Sequence, residues 1–302
     1  MPLFSVIVAT YNNAPYLGAA LDTVADQEFT DYELVVVDDG STDETPAILK
    51  PWRGRARVIR QENAGVAAAR NAGCEAATGE YAVFLDGDDL WFPWTLATLA
   101  EAIQAGNRPA VLGLTFRDFT DESQLADIER RPIEFAVEKD YLAGAGRHRF
   151  FMGTAHTMIR LDAVRRAGGF RRDMPVCEDV DLFLRAGTEP GFVMLLQPVV
   201  LGYRKHATSL TKNVEYLYQG ALELMRQEQR GSYPGGLGRR DERRLQVLVR
   251  TRAASLKLVR ARRLRLAFHL YRHTLGWNLR AAKFRYLLGL PLRAVAVRVR
   301  RG

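Results

Sequence analysis

Cysteine is nearly absent from this 302-residue chain. Cys74 and Cys177 are the only two, too few for a disulfide framework, and neither belongs to a CxxC or Cys/His cluster that would hold zinc. That usage suits a reducing compartment. No charge-poor apolar run reaches the length of a membrane span. The start, Met1-Pro2-Leu3-Phe4-Ser5, lacks the basic region of a secretory signal and runs directly into a strand-like segment. These absences predict a cytoplasmic protein. Glycine is missing where a phosphate loop would need it: the first strand-like run leads into Thr10-Tyr11-Asn12-Asn13-Ala14-Pro15. A conventional dinucleotide or P-loop site is thereby disfavoured. Core material is not lacking. With 47% hydrophobic and 26% charged residues, disordered and collagen-like classes drop out, and the length allows one large domain or two smaller ones.

Acidic residues are nearly missing from the end of the chain. Residues 1–238 hold 24 Lys/Arg and 33 Asp/Glu, a net of −9, whereas residues 239–302 hold 19 and 2, a net of +17. The switch coincides with a Gly/Pro-rich break, Ser232-Tyr233-Pro234-Gly235-Gly236-Leu237-Gly238. Strand signals stop after residue 213, so residues 213–302 are expected to form a helical, Arg-rich region. Within it Leu264, Phe268, Tyr271 and Leu275 fall at i, i+4, i+7 and i+11, with Arg265, His269 and Arg272 on another face. That pattern predicts an amphipathic helix with a basic side. Such a tail suits a polyanion, either anionic lipid or nucleic acid. It carries no recognised nucleic-acid motif, and the apolar stripe, with Phe284, Tyr286, Leu287 and Leu288 further on, favours an anionic membrane surface. The alternative is that the stripe packs on the rest of the molecule.

The first half alternates strands and helices. Apolar, β-branched runs occupy residues 4–9, 33–37, 57–60 and 81–85, the third weaker than the others, with an alanine-rich helical stretch at 64–77. Continuous runs of this kind suit strands buried on both faces, and the alternation predicts a doubly wound α/β domain with a mainly parallel twisted sheet flanked by helices. Further on, 110–116 and 191–201 read as strands, His156 falls in another, and 161–167 and 179–186 read as helices. In open α/β sheets ligands bind beyond the carboxyl ends of the strands. Three such ends are polar or acidic here: Thr10-Tyr11-Asn12, Asp38-Asp39 and Asp86-Gly87-Asp88-Asp89. One could be turn chemistry; three would line one crevice.

Asp86, Asp88 and Asp89 set three carboxylates within four residues, an arrangement that repels itself unless a cation binds. Mg²⁺ or Mn²⁺ fits, taking one or two carboxylates and completing its shell from substrate phosphate and water; the bland alternative is a solvated acidic turn. Asp38 and Asp39 could accept from a ribose hydroxyl or a base N–H. With no glycine loop, phosphate charge must be met by metal and basic side chains, and Arg70, on the helix after Asn63-Ala64-Gly65, is a candidate unless it is an ordinary surface arginine. Cys177-Glu178-Asp179-Val180-Asp181 opens a helix; its acids could cap that helix or supply a general base. His206, after Tyr203-Arg204-Lys205, could touch phosphate or metal, or be structural. Trp91 and Trp94 could stack on a sugar or fill the core.

Four blocks in order carry a resemblance. Ser5-Val6-Ile7-Val8-Ala9-Thr10-Tyr11-Asn12, then Val35-Val36-Val37-Asp38-Asp39-Gly40-Ser41-Thr42-Asp43, then Asn63-Ala64-Gly65-Val66-Ala67-Ala68-Ala69-Arg70-Asn71-Ala72-Gly73, then Gly79-Glu80-Tyr81-Ala82-Val83-Phe84-Leu85-Asp86-Gly87-Asp88-Asp89 resemble family 2 glycosyltransferases of the GT-A fold. The likeness continues more weakly through Gly168-Gly169-Phe170, Glu178-Asp179 and Tyr203-Arg204-Lys205-His206, and does not cover the basic tail.

The resemblance implies a catalytic domain over 1–212, with a nucleotide-binding half at 1–106 and an acceptor-binding half at 107–212. It implies that Thr10, Tyr11, Asp38 and Asp39 cradle a nucleoside, uridine in most relatives. Asp86 and Asp88 would form the metal–diphosphate motif, Asp88 coordinating directly, with Asp89 as a supporting acid. Asp179 would take the proton from an acceptor hydroxyl in an inverting transfer, and the segment with His206 would close over the diphosphate. The acceptor could be a lipid-linked glycan, a polysaccharide end or another sugar, and the cationic tail, not the resemblance, points to a peripheral position on the cytoplasmic face of a membrane. Two rival classes remain: a metal-dependent nucleotidyltransferase, which would release pyrophosphate, and a basic nucleic-acid-binding protein.

Overall fold

The structure is a computed structural model that describes residues 1–147, 152–205 and 213–299. In chain order the elements are β1 (Phe4–Thr10), α1 (Ala14–Ala25), β2 (Tyr32–Asp38), α2 (Thr45–Leu49), β3 (Arg57–Arg60), α3 (Val66–Ala76), β4 (Tyr81–Asp86) and β5 (Leu90–Trp91). There follow α4 (Thr95–Ala105), β6 (Val111–Gly113), β7 (Phe116–Phe119), β8 (Glu134–Asp140), α5 (Tyr141–Arg147), β9 (Thr157–Arg160), α6 (Leu161–Arg166) and α7 (Glu178–Arg185). The rest are β10 (Pro190–Gln197), β11 (Leu201–Arg204), α8 (Val214–Arg230), α9 (Arg240–Arg260), α10 (Leu264–His273), α11 (Leu275–Arg280) and α12 (Phe284–Val299). Two compact units result: Met1–Arg172 with Ala186–His206, and Asp173–Arg185 with Ala207–Gly302. The segment carrying Asp179 thus groups with the helices that follow residue 213, although it lies earlier in the chain.

The first unit is an α/β body on an eight-stranded sheet ordered β3-β2-β1-β4-β9-β6-β10-β8. β3, β2, β1 and β4 run parallel, as expected from the sequence. Beyond β4 the sheet is mixed: β9 is antiparallel to both β4 and β6, β10 is parallel to β6, and β8 closes antiparallel. Alternation along the central strands serves two layers. Phe4, Val6 and Val8 pack with Leu17, Leu21 and Val24 of α1, while Val35 and Val37 pack with Ala69 and Ala76 of α3. The alanines of α3 permit a close approach, and a Cβ on Gly73 would lie 2.4 Å from Ile7 Cγ2. The weak third run is the edge strand β3, with Arg57 and Arg60 outward.

Three expectations about the middle of the chain need correction. The runs 110–116 and 191–201 are not single strands. Each leaves the main sheet, the first as β6 then β7, the second as β10 then β11, to build a second sheet ordered β5-β11-β7. Pro198 lacks the N–H that would carry a ladder through the second crossover. His156 ends a 3-10 turn, Thr154–His156, just ahead of β9.

One carboxylate locks the sheet where β1, β2 and β4 begin. Glu33, opposite Ser5 in the register, accepts from the Ser5 hydroxyl, the backbone and hydroxyl of Thr78, and the Gly79 N–H. Burial raises its pKa, but these donors outweigh burial and hold it below the usual carboxylate value. A lowered folded pKa gives stability that is full above the unfolded value, about 4.3, and fades as the pH falls through the folded one. Glu33→Ala should therefore cost about 2 kcal/mol at pH 7. The gap between variant and wild type should narrow in denaturant titrations below pH 4.

The second unit is helical. α8 ends in a left-handed Gly231, as helix C-termini commonly do. Arg243 of α9 is buried, bonding the Glu228 carboxylate at 2.7 Å and the carbonyls of Pro234 and Gly236, which fixes the Gly/Pro-rich break. The amphipathic helix expected over 264–275 stops at His273, and α11 restarts after the buried Thr274, whose hydroxyl bonds back to the Leu270 carbonyl at 2.8 Å. Among the described residues no helix is long and apolar enough to cross a membrane.

Candidate active site

Thr10, Asp38 and Asp86 are the last residues of β1, β2 and β4. Those strands are parallel neighbours, with Thr10 opposite Asp38 and Ala9 opposite Asp86. The three polar strand ends therefore sit side by side on one sheet edge, the place where open α/β sheets bind ligands.

The first two ends are stapled into one cradle. Asn12 takes a left-handed conformation, φ 48°, which asparagine tolerates. Its N–H donates to Ser41 Oγ at 2.9 Å, and its Oδ1 accepts from the Thr42 N–H at 2.8 Å. Asp38 accepts from the Ser41 N–H through one oxygen and from Arg60 through the other, both at 2.9 Å. Asp39 receives Gln61 Nε2 at 2.7 Å and the N–H groups of Ala64 and Gly65 at 3.0 and 2.9 Å. Gly40 has φ 78°, and a Cβ there would sit 2.8 Å from the Asn63 nitrogen, so only glycine fits between these loops. Both aspartates are buried and held rigidly; Asp39 Oδ1 is filled by two donors, while Asp39 Oδ2 and the Asp38 oxygens keep lone-pair capacity for a further one. Tyr11 stands half exposed beside them.

The third end is an acidic loop braced from two sides. Arg70 of α3 is buried, lies over the Phe170 ring and bonds Asp86 at 2.9 Å. It is not a surface arginine; it aims the Asp86 carboxylate. Arg204, at the end of β11, gives its N–H to Asp89 and its Nε to the Asp88 carbonyl, both at 2.8 Å. Its guanidinium bonds Glu122 and sits over Tyr16 and Phe119. Asp89 is fully buried. Burial, and then the Asp86 and Asp88 carboxylates, push its pKa well above the ordinary range. Its bond to the β11 backbone makes it a brace of the loop, while Asp86 and Asp88 stay partly exposed. Burial and the same three acids also raise Tyr203.

Whether a divalent cation suits this loop turns on its donors. Asp86 and Asp88 offer hard carboxylate oxygens, which match Mg²⁺ or Mn²⁺. No group of three His, Cys, Asp or Glu side chains able to hold a metal occurs among the described residues, so remaining ligands would have to come from substrate and water. The Thr10 hydroxyl, buried next to the Gly87 backbone, has no hydrogen-bond partner among the described residues, nor does the second Asp89 oxygen. Such atoms leave room for a bound water, ion or substrate oxygen. The residues fit such an ion.

In the helical unit the three acids of α7 separate by environment. Asp181 is buried between Arg185 at 2.7 Å and the Tyr233 hydroxyl at 2.9 Å. Glu178 is buried as well. Asp179 is half-buried, one oxygen 2.6 Å from the Val180 N–H and the other 3.9 Å from Arg250 of α9. Asp181 is thus committed to structure, and Asp179 is the one of the three on an accessible face. Cys177, just before it, is left-handed at φ 69°, its thiol pushed up to about 12 by burial.

The sequence profile described as "Glycosyl transferase family 2" matches residues 5–167. The chain belongs to that family. The Bacillus subtilis protein described as "Putative glycosyltransferase EpsH" is 41% identical over 234 residues, 74% of this chain and 67% of that one. Several other curated relatives are longer than their matched part, which takes in only 35–38% of them. Among solved structures, Staphylococcus aureus TarS 1–349 with UDP-GlcNAc superposes with a TM-score of 0.63 at 18% identity, covering 95% of this chain and 90% of that one. The Pyrobaculum calidifontis mannosyltransferase PcManGT, with GDP-Man and Mn²⁺, gives 0.59 at 19% identity, over 99% and 86%. The family 2 chain therefore has the GT-A fold expected of it and is a glycosyltransferase.

In this family 2 chain Thr10, Tyr11, Asp38, Asp39, Arg70, Asp86, Asp88 and Asp89 gather at one sheet edge of the α/β body, whereas Asp179 belongs to the helical unit. His206 lies outside the described residues. Trp91 is buried, and Trp94 stacks on Phe92 and donates to the Val199 carbonyl, so both serve packing. Sequence reasoning missed Arg60, Gln61 and Arg250. Arg60 had a readable signal, since it ends the strand beside Asp38; Arg250, 71 positions beyond Asp179, had none.

Proposed function

We propose that this glycosyltransferase takes a sugar from a UDP-linked donor and passes it, with inversion, to a hydroxyl on a lipid-linked glycan or growing polysaccharide. The carrying observation is the row of three adjacent strand ends, with buried Asp38 and Asp39 on one side, Asp86 and Asp88 on the other, and the unsatisfied Thr10 hydroxyl between them. Asp38 and Asp39 accept from the nucleoside, and Tyr11 covers it. A divalent cation at Asp86 and Asp88 would supply charge neutralisation to the diphosphate. Arg70 and Arg204 hold that loop in place so that its carboxylates need not reorganise as charge develops. The Asp179 carboxylate accepts the acceptor's proton as its oxygen bonds to the anomeric carbon and the bond to the diphosphate breaks. The neighbours solved with UDP-GlcNAc and with GDP-Man and Mn²⁺ support the donor class and the ion.

Calorimetry of UDP binding tests the nucleotide and the ion together. UDP should bind at least about tenfold tighter with Mn²⁺ than in EDTA, because the diphosphate completes a shell that two carboxylates leave open. Equal affinities would remove the ion from Asp86 and Asp88. The cationic helical region, +17 over residues 239–302, supports a peripheral position on an anionic membrane, on the cytoplasmic face, where a lipid-carried acceptor would be met.

A further inference from the structure

We propose that the outward face of α12 is the part of this chain that enters the anionic lipid surface, a proposal that rests on the membrane reading above and assigns it a site. The first part of the stripe legible in the sequence, Leu264, Phe268 and Tyr271, is not that site. In α10, Leu264, Phe268 and Tyr271 are half-buried, Phe268 packs edge-on to Tyr271, and the Tyr271 hydroxyl bonds the Leu287 carbonyl at 2.9 Å. That part of the stripe serves the helical unit's own packing.

α12 differs. Leu287, Leu290 and Ala294 face inward and are buried, while Phe284, Leu288, Leu292 and Val295 are 57–70% exposed. At about 100° per residue those four lie within an arc of about 80°. Leu275 and Leu279, one turn apart on α11, are also exposed. Soluble surfaces scatter such side chains singly, and a row of them marks an interaction site.

Charge decides the occupant. No Asp or Glu follows Glu242 in the chain, and Arg285 and Arg293 lie beyond one edge of the row on α12. A second copy would bring the same excess of positive charge to the same face and be repelled. Nucleic acid would answer the arginines but leave the leucines in water. A bilayer with anionic headgroups answers both, its phosphates meeting the arginines and its acyl boundary taking the apolar row. The same pairing recurs on the next face of α12, where a groove against α9 is lined by Leu256, Val259, Ala296 and Val297 between Arg260 and Arg293.

The test uses the full chain and vesicles of phosphatidylcholine with or without 30 mol% phosphatidylserine. Cys74 is buried and Cys177 only half-buried, so the label is placed by Leu288→Cys in a Cys177→Ser background, where an environment-sensitive dye reacts selectively. The dye should shift to the blue with anionic vesicles. Leu288→Asp with Leu292→Asp should weaken co-sedimentation at least tenfold, whereas Leu237→Asp, an exposed apolar residue outside the row, should leave it intact. If the chain ignores anionic vesicles altogether, the membrane reading fails and the α12 site with it. If it sediments but the dye stays in water and the double variant binds equally, α12 is wrong and the membrane reading survives. A lipid-free dimer that the double variant dissociates would assign the row to a second copy and overturn the proposal.

Discussion

Asp179→Asn should lower kcat about a thousandfold while moving the donor dissociation constant by less than about twofold. A positioned general base contributes roughly two to four decades, each about 1.4 kcal/mol of barrier. Asparagine keeps the shape and can still accept from the Val180 N–H, but it cannot take a proton. Asp181→Asn acts differently: it disturbs the buried bonds to Arg185 and Tyr233, so its effect should appear in the melting temperature. Steady-state kinetics with titration of UDP separates the two. An Asp179→Asn enzyme with wild-type turnover would remove this residue from the chemistry.

The second large effect is expected at Asp88. Asp88→Asn takes one negative oxygen from the ion's site and should cut kcat/KM about a hundredfold at fixed Mn²⁺, in keeping with several kcal/mol from a metal at a developing charge. UDP affinity in EDTA should hardly change, because the nucleoside contacts lie on the other strand ends. Stability should hold or rise. Asp88 is one of the charges that push the buried Asp89 upward, so neutralising it relieves a repulsion in the folded state. Melting curves beside the kinetics check both halves; a fall in stability together with unchanged metal dependence would contradict this assignment.

Much of this was legible in the sequence, for identifiable reasons. β1, β2 and β4 are covered on both faces, so their continuous apolar runs stood out, and the residues ending them had to share an edge once the strands were parallel. The braces were less legible. Arg70 read as a phosphate ligand because its pattern shows a cation near a crevice, whereas its burial against Asp86 depends on how closely α3 packs. Arg204 reaches back across 115 positions to Asp89, a distance at which no periodicity speaks. The second sheet escaped notice because β5, β7 and β11 are two to four residues long, too short to show alternation. In α10 and α12 the apolar pattern was visible, but which face turns outward is decided by the neighbouring helices.

Donor turnover followed by proton and phosphorus NMR tests the central claim most directly. The full chain is given an α-linked UDP-sugar and Mn²⁺, with water as acceptor if none better is known. The claim predicts UDP as the nucleotide product, no pyrophosphate, and free sugar that appears first as the β-anomer before mutarotation. Pyrophosphate release, or a first-formed α-anomer, would contradict it.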